Sequence, residues 1–385
     1  MRLNFLIALF VVLAILLGCE KLRVAEKPAA TDAYSLLKNT VCDKQITLLG
    51  EGNSHDEGAT NAFKSRMARD LIADCGFSLI IFESSFYQFV NLNRDLSAVQ
   101  QITRDEINAS IGGLWAHQIE IDPLVKFLTE VANDRKVIIA GMDDQIGGRG
   151  QDYSNFGLPV ELTEGLEIEQ REACRAAINK HIYWAYTKID RYDADKKQFI
   201  LSCLKGPDTP EDAQLAAMRA SLIRDFQRDL LEGDARYTGR ANSMYENFEY
   251  WYDGQDRPKT IIWTATVHAA KTGRLSPSFG QLIQRRFGDE AYTAGFSALS
   301  GTRGRPGRAA KPLPEAPEIS IEAMIFQDNE ADILFVDSDA LAAFGDSPAA
   351  AISNTYEARN WAAELDGLIV FRTQYPPTLM PAPVE

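Results

Sequence analysis

The sequence predicts an α/β fold: a mainly parallel central sheet flanked by helices, with a helical insertion over the carboxyl ends of the strands. Three observations carry this expectation. Short apolar, β-branched runs recur along the chain at 46–49, 79–82, 137–140, 260–263, 292–296, 333–336 and 368–371. Helical patterns fill most of the gaps between them. One stretch, about 160–252, breaks the alternation and is long, charged and helical. Strands that alternate with helices pair in parallel under covering helices.

Taken in order, the chain opens with Arg2, an almost wholly apolar run over 3–17, and Gly18-Cys19. That is the layout of a secretory signal, and the Cys placed where the apolar run stops resembles a bacterial lipobox. Residues 1–18 are expected to be a signal peptide and Cys19 the lipidation site. The polar, Pro- and Ala-containing 19–32 is a tether, and 33–385 one domain. Resemblance to Gram-negative lipoproteins with Glu20 rather than Asp favours the outer membrane, facing the periplasm, with the lipid bilayer as partner. A plain anchor with an incidental Cys is the alternative.

The helix expected over 57–74 has Ala59, Phe63, Met67 and Leu71 on one face at four-residue spacing, and 124–131 is another helix. Within the insertion, Thr209-Pro210-Glu211-Asp212 has the look of a capped helix start. The insertion is either a lid or a structural cap. Residues 301–317 are rich in Gly, Pro and Arg and read as a loop; its arginines hold an anion or are simply solvated.

Export leaves Cys42, Cys75, Cys174 and Cys203, an even number for an oxidising compartment. Cys42 and Cys75 each precede a strand. If those strands pair in parallel, both thiols lie at one sheet edge, which makes Cys42–Cys75 and Cys174–Cys203 the expected bridges. Four cysteines allow three pairings, and four reduced, buried thiols are the alternative.

Composition narrows the function. The chain has 385 residues, with 40 Lys+Arg against 54 Asp+Glu and a net charge of −14. An acidic chain argues against nucleic acid as a partner, since phosphate neutralisation needs a basic face. There is no G-x-S-x-G elbow, H-E-x-x-H, paired C-x-x-C or P-loop. His55-Asp56-Glu57 could bind a metal ion, but that spacing has no special specificity, and no metal site is expected.

The candidate chemistry sits where strands end, the usual ligand position in parallel sheets. Strand 46–49 runs into Glu51 and His55, strand 79–82 into Glu83, strand 137–140 into Asp143, Asp144 and Gln145, and strand 260–263 on to His268. A histidine beside carboxylates can act as a general base. His117 is expected at a helix start facing the same crevice, whereas His181 is expected to pack among aromatic residues. Taken singly, each histidine has a plainer reading as a core or surface residue.

Several segments then match one family in order. LLGEGNSHDEGATNAFKSRMARDLIADCGFSLIIFESSFY resembles its first signature, and KVIIAGMDDQ its G-(Phe)-D-x-Q strand end. RANSMYENFEYW resembles its R-x-x-x-Met-x-x-Asn helix, IIWTATVHAAKTG its W-A-H-N-x-H-x-x-K strand end, and LDGLIVFRT its closing strand. The set, over roughly 35–375, resembles the erythromycin esterase family. That resemblance implies hydrolysis of an ester or lactone by activated water, with no serine nucleophile, no required metal and no cofactor. It makes His55 the base, Glu51 and Glu83 the orienting carboxylates, and Lys64 the basic residue that steadies a carboxylate or an oxyanion. His268 would position the water or protonate the leaving alcohol. Arg66 is the fallback for Lys64, with solvated helix charge as the plainer reading of both. Arg66, His117, Asp143 and Gln145 would bind substrate.

Two departures from the family pattern stand out. Glu51 and His55 are four apart rather than three, and Ala265 and Thr266 replace the first His and the Asn of the H-N-x-H pair. A lipid-anchored hydrolase, with a role in the response to macrolide-like antibiotics as family precedent, is the first reading. A non-enzymatic lipoprotein binding haem, iron or a small molecule is the second. A metal-dependent hydrolase using His55, Glu51, Glu83 and His268 is the third.

Overall fold

The computed structural model describes residues 32–52, 55–98, 101–148, 151–205, 212–272 and 277–381. The expected signal peptide, the lipidated Cys19 and nearly all of the tether lie outside the described residues, as do 209–211 of the expected helix start.

The architecture is the expected α/β one. Seven strands form the main path of the central sheet: β1 (Ile46–Leu49), β2 (Leu79–Ser85), β3 (Ile138–Asp143), β4 (Thr260–Trp263), β5 (Ala291–Arg303), β6 (Ile333–Asp337) and β7 (Gly367–Gln374). Their spatial order is β3-β2-β4-β1-β5-β7-β6. All neighbours are parallel except β7 and β6, which are antiparallel. Every residue of β1, β2 and β4 is buried, which explains their continuous apolar runs rather than an alternating pattern. The central strands thus point their carboxyl ends the same way, and the residues that follow them meet in one place.

The flanking helices follow from their patterns. Helix α1 (Gly58–Cys75) buries Phe63, Met67, Ala68 and Leu71 and stops at Gly76, whose φ of +76° only glycine adopts freely. The Asp122–Asn133 helix buries Leu124, Val125, Leu128 and Ala132. Strand β5 runs on past the expected 292–296 and pairs at Thr302 and Arg303 with Pro312 and Lys311, so part of the expected 301–317 loop is a hairpin.

The insertion holds Ile168–Ile182, Ala194–Cys203, Ala213–Arg228 and Gly233–Asp253. Asp212 caps the third of these, accepting from the N–H groups of Gln214 and Leu215. The fourth is tied onto β3: Trp251 Nε1 donates to the Gly141 carbonyl at 2.8 Å and Asn247 Nδ2 to that of Met142 at 3.1 Å. His181 packs against Tyr192 and Phe226, with ring centroids 4.9 and 4.8 Å away.

Both disulfides form in the expected pairing, Cys42–Cys75 and Cys174–Cys203, with Cα separations of 5.2 and 5.5 Å. The reason for the first differs from the expectation. Strands β1 and β2 do not pair with each other; β4 lies between them. Lys259, just before β4, donates to the carbonyls of both Cys42 and Cys75. Among the described residues no helix is long and apolar enough to cross a membrane.

Candidate active site

The end of β1 supplies the first half of the site. Glu51 is fully enclosed, and three groups share its carboxylate. His55 Nδ1 lies 2.6 Å from Oε1, Trp115 Nε1 donates to Oε1 at 2.9 Å, and Lys64 Nζ donates to Oε2 at 2.7 Å. Lys64 is wholly buried on α1 and sits 4.2 Å over the Trp263 ring. Burial pushes the Lys64 ammonium down to about 8, against the pull of Glu51. Burial opposes ionisation of Glu51 too, but Lys64 and His55 together hold its carboxyl below the ordinary range. For His55, burial favours the neutral ring, yet the bond and charge of Glu51, and then Glu83, raise it above an ordinary imidazole.

Backbone geometry fixes that histidine. His55 has φ of +52°, in the left-handed region, and its N–H donates to the Gly52 carbonyl at 2.9 Å. A side chain at Gly52 would meet Glu57 Oε1 at 2.0 Å and Asn354 Nδ2 at 2.7 Å, so it would displace the hydrogen bond between those two groups. The four-residue spacing between Glu51 and His55 is accommodated in this turn. The His55 ring stands edge-on to Trp115 at 4.9 Å. With Nδ1 committed to Glu51, Nε2 is the nitrogen left without a hydrogen-bond partner among the described residues.

The second half comes from β2, β3 and β4. Glu83 falls where the β2–β3 register shifts between Phe82 and Ser85, a bulge that re-aims a side chain. Its Oε2 accepts from Thr264 Oγ1 at 2.7 Å and from the Ala265 N–H at 2.8 Å. Its Oε1 faces His268 Nε2 and Arg240 Nη2, each at 3.3 Å. Burial disfavours the charged carboxylate, but His268, His55 and Arg240 outweigh it and hold Glu83 well below its usual range. Arg240 also reaches Asp143 Oδ2 at 3.0 Å.

Glu83 and Asp143 line an open cleft of about 740 Å³, together with His117, Gln145, Arg305 and Arg308. His117 lies in the turn that precedes the Asp122–Asn133 helix, not at the helix start, and its carbonyl accepts from Met380 N at 2.8 Å. Asp144 points elsewhere, to a buried ion pair with Arg228.

The structure therefore gathers His55, Glu51, Glu83, His268, Lys64, Asp143, His117 and Gln145 in and around one site. It corrects two further expectations. Arg66 does not share it: its side chain is 63% exposed on the outer face of α1, stacked on Tyr34 at 3.7 Å and beside Asp70. Three residues along a helix from Lys64 would be a neighbour; two residues along lies on the far side. Lys64 has no exposed surface, so it steadies Glu51 and cannot reach a substrate oxyanion. Arg240, which lies in the segment RANSMYENFEYW and has no role from its sequence pattern alone, is central, pairing with both Glu83 and Asp143. The departures also find an account. The Ala265 backbone N–H holds Glu83, and the Thr266 N–H donates to the Glu51 carbonyl at 2.8 Å, so residues 265–266 brace both carboxylate segments through main chain. Among the described residues no group of three or more His, Cys, Asp or Glu is placed to hold a metal ion. The proposed metal set of His55, Glu51, Glu83 and His268 is instead tied up with Lys64, Trp115, Arg240 and Thr264.

A family model described as Erythromycin esterase matches residues 72–373. A relative in Bacillus subtilis (strain 168), named "Putative hydrolase YbfO", is 21% identical over 344 residues, covering 77% of this chain and 75% of its own. Among solved structures, a succinoglycan biosynthesis protein aligns with a TM-score of 0.69 at 15% identity, over 92% of this chain and 96% of its own. An open conformation of a histidine-to-asparagine mutant of the erythromycin esterase EreC aligns with a TM-score of 0.65 at 14% identity, over 90% and 95%. At these identities the solved structures show a shared fold.

Proposed function

The chain belongs to the erythromycin esterase family, and from that premise we propose that it is a hydrolase that opens an ester or lactone with water activated by His55. The observation that carries this reading is the buried relay Lys64–Glu51–His55, which fixes the tautomer and orientation of one imidazole and raises its basicity. In this reading water loses a proton to His55 Nε2 as its oxygen attacks the carbonyl carbon. The carbon–oxygen bond of the ester then breaks, and His268, ion-paired with Glu83, gives the leaving alcohol its proton. Arg240 and the cleft floor orient the carbonyl.

The test compares the protein with His55→Ala on simple esters, lactones and a macrolide, with and without chelator. Loss of kcat/KM by roughly 10²–10⁴, insensitive to chelator, is the expected result. Turnover abolished by chelator would replace this reading with the metal-dependent one. Absence of turnover above the variant on every substrate would sink it in favour of a binding lipoprotein, which bound haem would mark with a Soret band.

We further propose that the protein is lipid-anchored in the bacterial envelope through Cys19. Support comes from the apolar run ending at Gly18-Cys19 and from two disulfides, which suit an oxidising compartment. Labelled palmitate should enter the wild type and not Cys19→Ala; equal labelling of both would end the idea.

A further inference from the structure

We infer that the ester taken by this cleft carries an anionic group (carboxylate, phosphate or sulfate), held at the cleft mouth by Arg305 and Arg308. The inference rests on the hydrolase reading and names the substrate class for the same site.

The hairpin tip is fixed beside the candidate base. Arg303 Nη1 pairs with Asp56 Oδ2 at 2.9 Å, and the Gly304 N–H donates to the Asp56 carbonyl at 3.0 Å. Asp56 is the residue after His55, so the tip is tied directly to the turn that bears the candidate base. The Arg308 N–H then donates to the Arg305 carbonyl at 3.0 Å, closing a tight turn over Gly307 at φ +74°. Arg305 and Arg308 thus sit on one turn, and both line the cleft that contains Glu83 and Asp143.

Of the arginines in this hairpin, Arg303 is committed to Asp56, whereas Arg305 and Arg308 are exposed and form no ion pair among the described residues. The two acids that line the cleft already share one cationic partner, Arg240, which pairs with both Glu83 and Asp143. In a chain of net charge −14, two unpaired guanidinium groups at the mouth of one cleft reverse the local potential, and a cleft concentrates such a field. A guanidinium fork matches a carboxylate or phosphate in two parallel hydrogen bonds. Ile111, Leu114, Ile146 and Leu379 supply an apolar wall, so the body of the ligand is apolar and its charge sits at the mouth.

The test uses the whole protein and R305Q/R308Q, with thermal unfolding to confirm that both fold alike. One arm measures equilibrium binding of hexylphosphonate and of hexanol. Hexylphosphonate should bind the wild type about tenfold or more tighter than the double variant, with the gap closing as NaCl rises towards 1 M, and hexanol should not distinguish the two proteins. The other arm measures kcat/KM on two phenyl esters of equal length, one ending in methyl and one in carboxylate. The carboxylate ester should be preferred by the wild type and lose that preference in the variant. Equal hexylphosphonate binding by both proteins, or ester turnover with no preference for the charged substrate, would overturn the inference while leaving the hydrolase reading standing. Salt-sensitive phosphonate binding without turnover of any ester would sink the hydrolase reading and leave an anion site.

Discussion

Glu51 and Glu83 are both enclosed carboxylates at the ends of parallel strands, yet they are held in opposite ways. Glu51 is held from behind by Lys64 and Trp115, neither of which has any exposed surface. Glu83 is held by a backbone N–H and a threonine hydroxyl on one oxygen, while the other faces His268 and Arg240, which are 16% and 24% exposed. One carboxylate is sealed and serves to orient a histidine. The other opens onto the cleft. The difference teaches that burial of an acid is not itself a role; what its partners expose decides whether it faces a substrate.

The largest expected effect tests the sealed half. Lys64→Met should cost about 3–5 kcal/mol of stability, because it leaves an uncompensated buried carboxylate. Arg240→Gln should cost less, about 1–3 kcal/mol, since Glu83 keeps its Thr264 and Ala265 donors. Denaturant unfolding of both variants checks the order. Lys64→Met/Glu51→Leu should regain most of the lost stability, as apolar pairs often replace buried ion pairs without penalty, yet remain inactive. Equal losses in Lys64→Met and Arg240→Gln would erase the distinction between the two carboxylates.

A smaller effect sharpens it. His55 must be neutral to accept a proton, and its folded pKa is raised above 6.5. Activity should therefore rise with pH through a limb above 6.5, and Glu51→Gln should move that limb to lower pH further than Glu83→Gln does. Stability moves in the same direction at the acid end, falling as pH falls. Glu51 and Glu83 are both held below 4.5, so their contribution is complete above about pH 4.5 and is lost as pH falls through the lowered values. Glu83→Gln should flatten that acid loss, measured as the urea midpoint against pH. An acid limb that Glu51→Gln leaves in place would break the assignment of His55 as the group observed.

Much of this was legible in the chain itself. The apolar runs at 46–49 and 260–263 coincide with β1 and β4 because strands buried on both faces leave an unbroken signature in sequence. His55 and Glu51 were legible as a pair because they are four residues apart on one turn, and Glu83 and His268 because each follows a strand end. The helix face 63-67-71 was legible for the same local reason.

Other features depended on elements far apart in sequence. Arg240 is 157 residues from Glu83, and only docking of the Gly233–Asp253 helix on β3 brings them together. That β4 lies between β1 and β2 makes Lys259 the clasp over Cys42 and Cys75, which no local pattern encodes. Lys64 and Arg66 carry like charges two residues apart in sequence. Sequence placed both on one helix, but the packing of α1 decided which was sealed beneath Glu51 and which was left on the surface against Tyr34. Hydrophobic periodicity determines which segments become strands and helices, because it is a property of neighbours in the chain. The partners of a buried charge are set by how those segments pack, because desolvation and Coulomb attraction depend on distance through space.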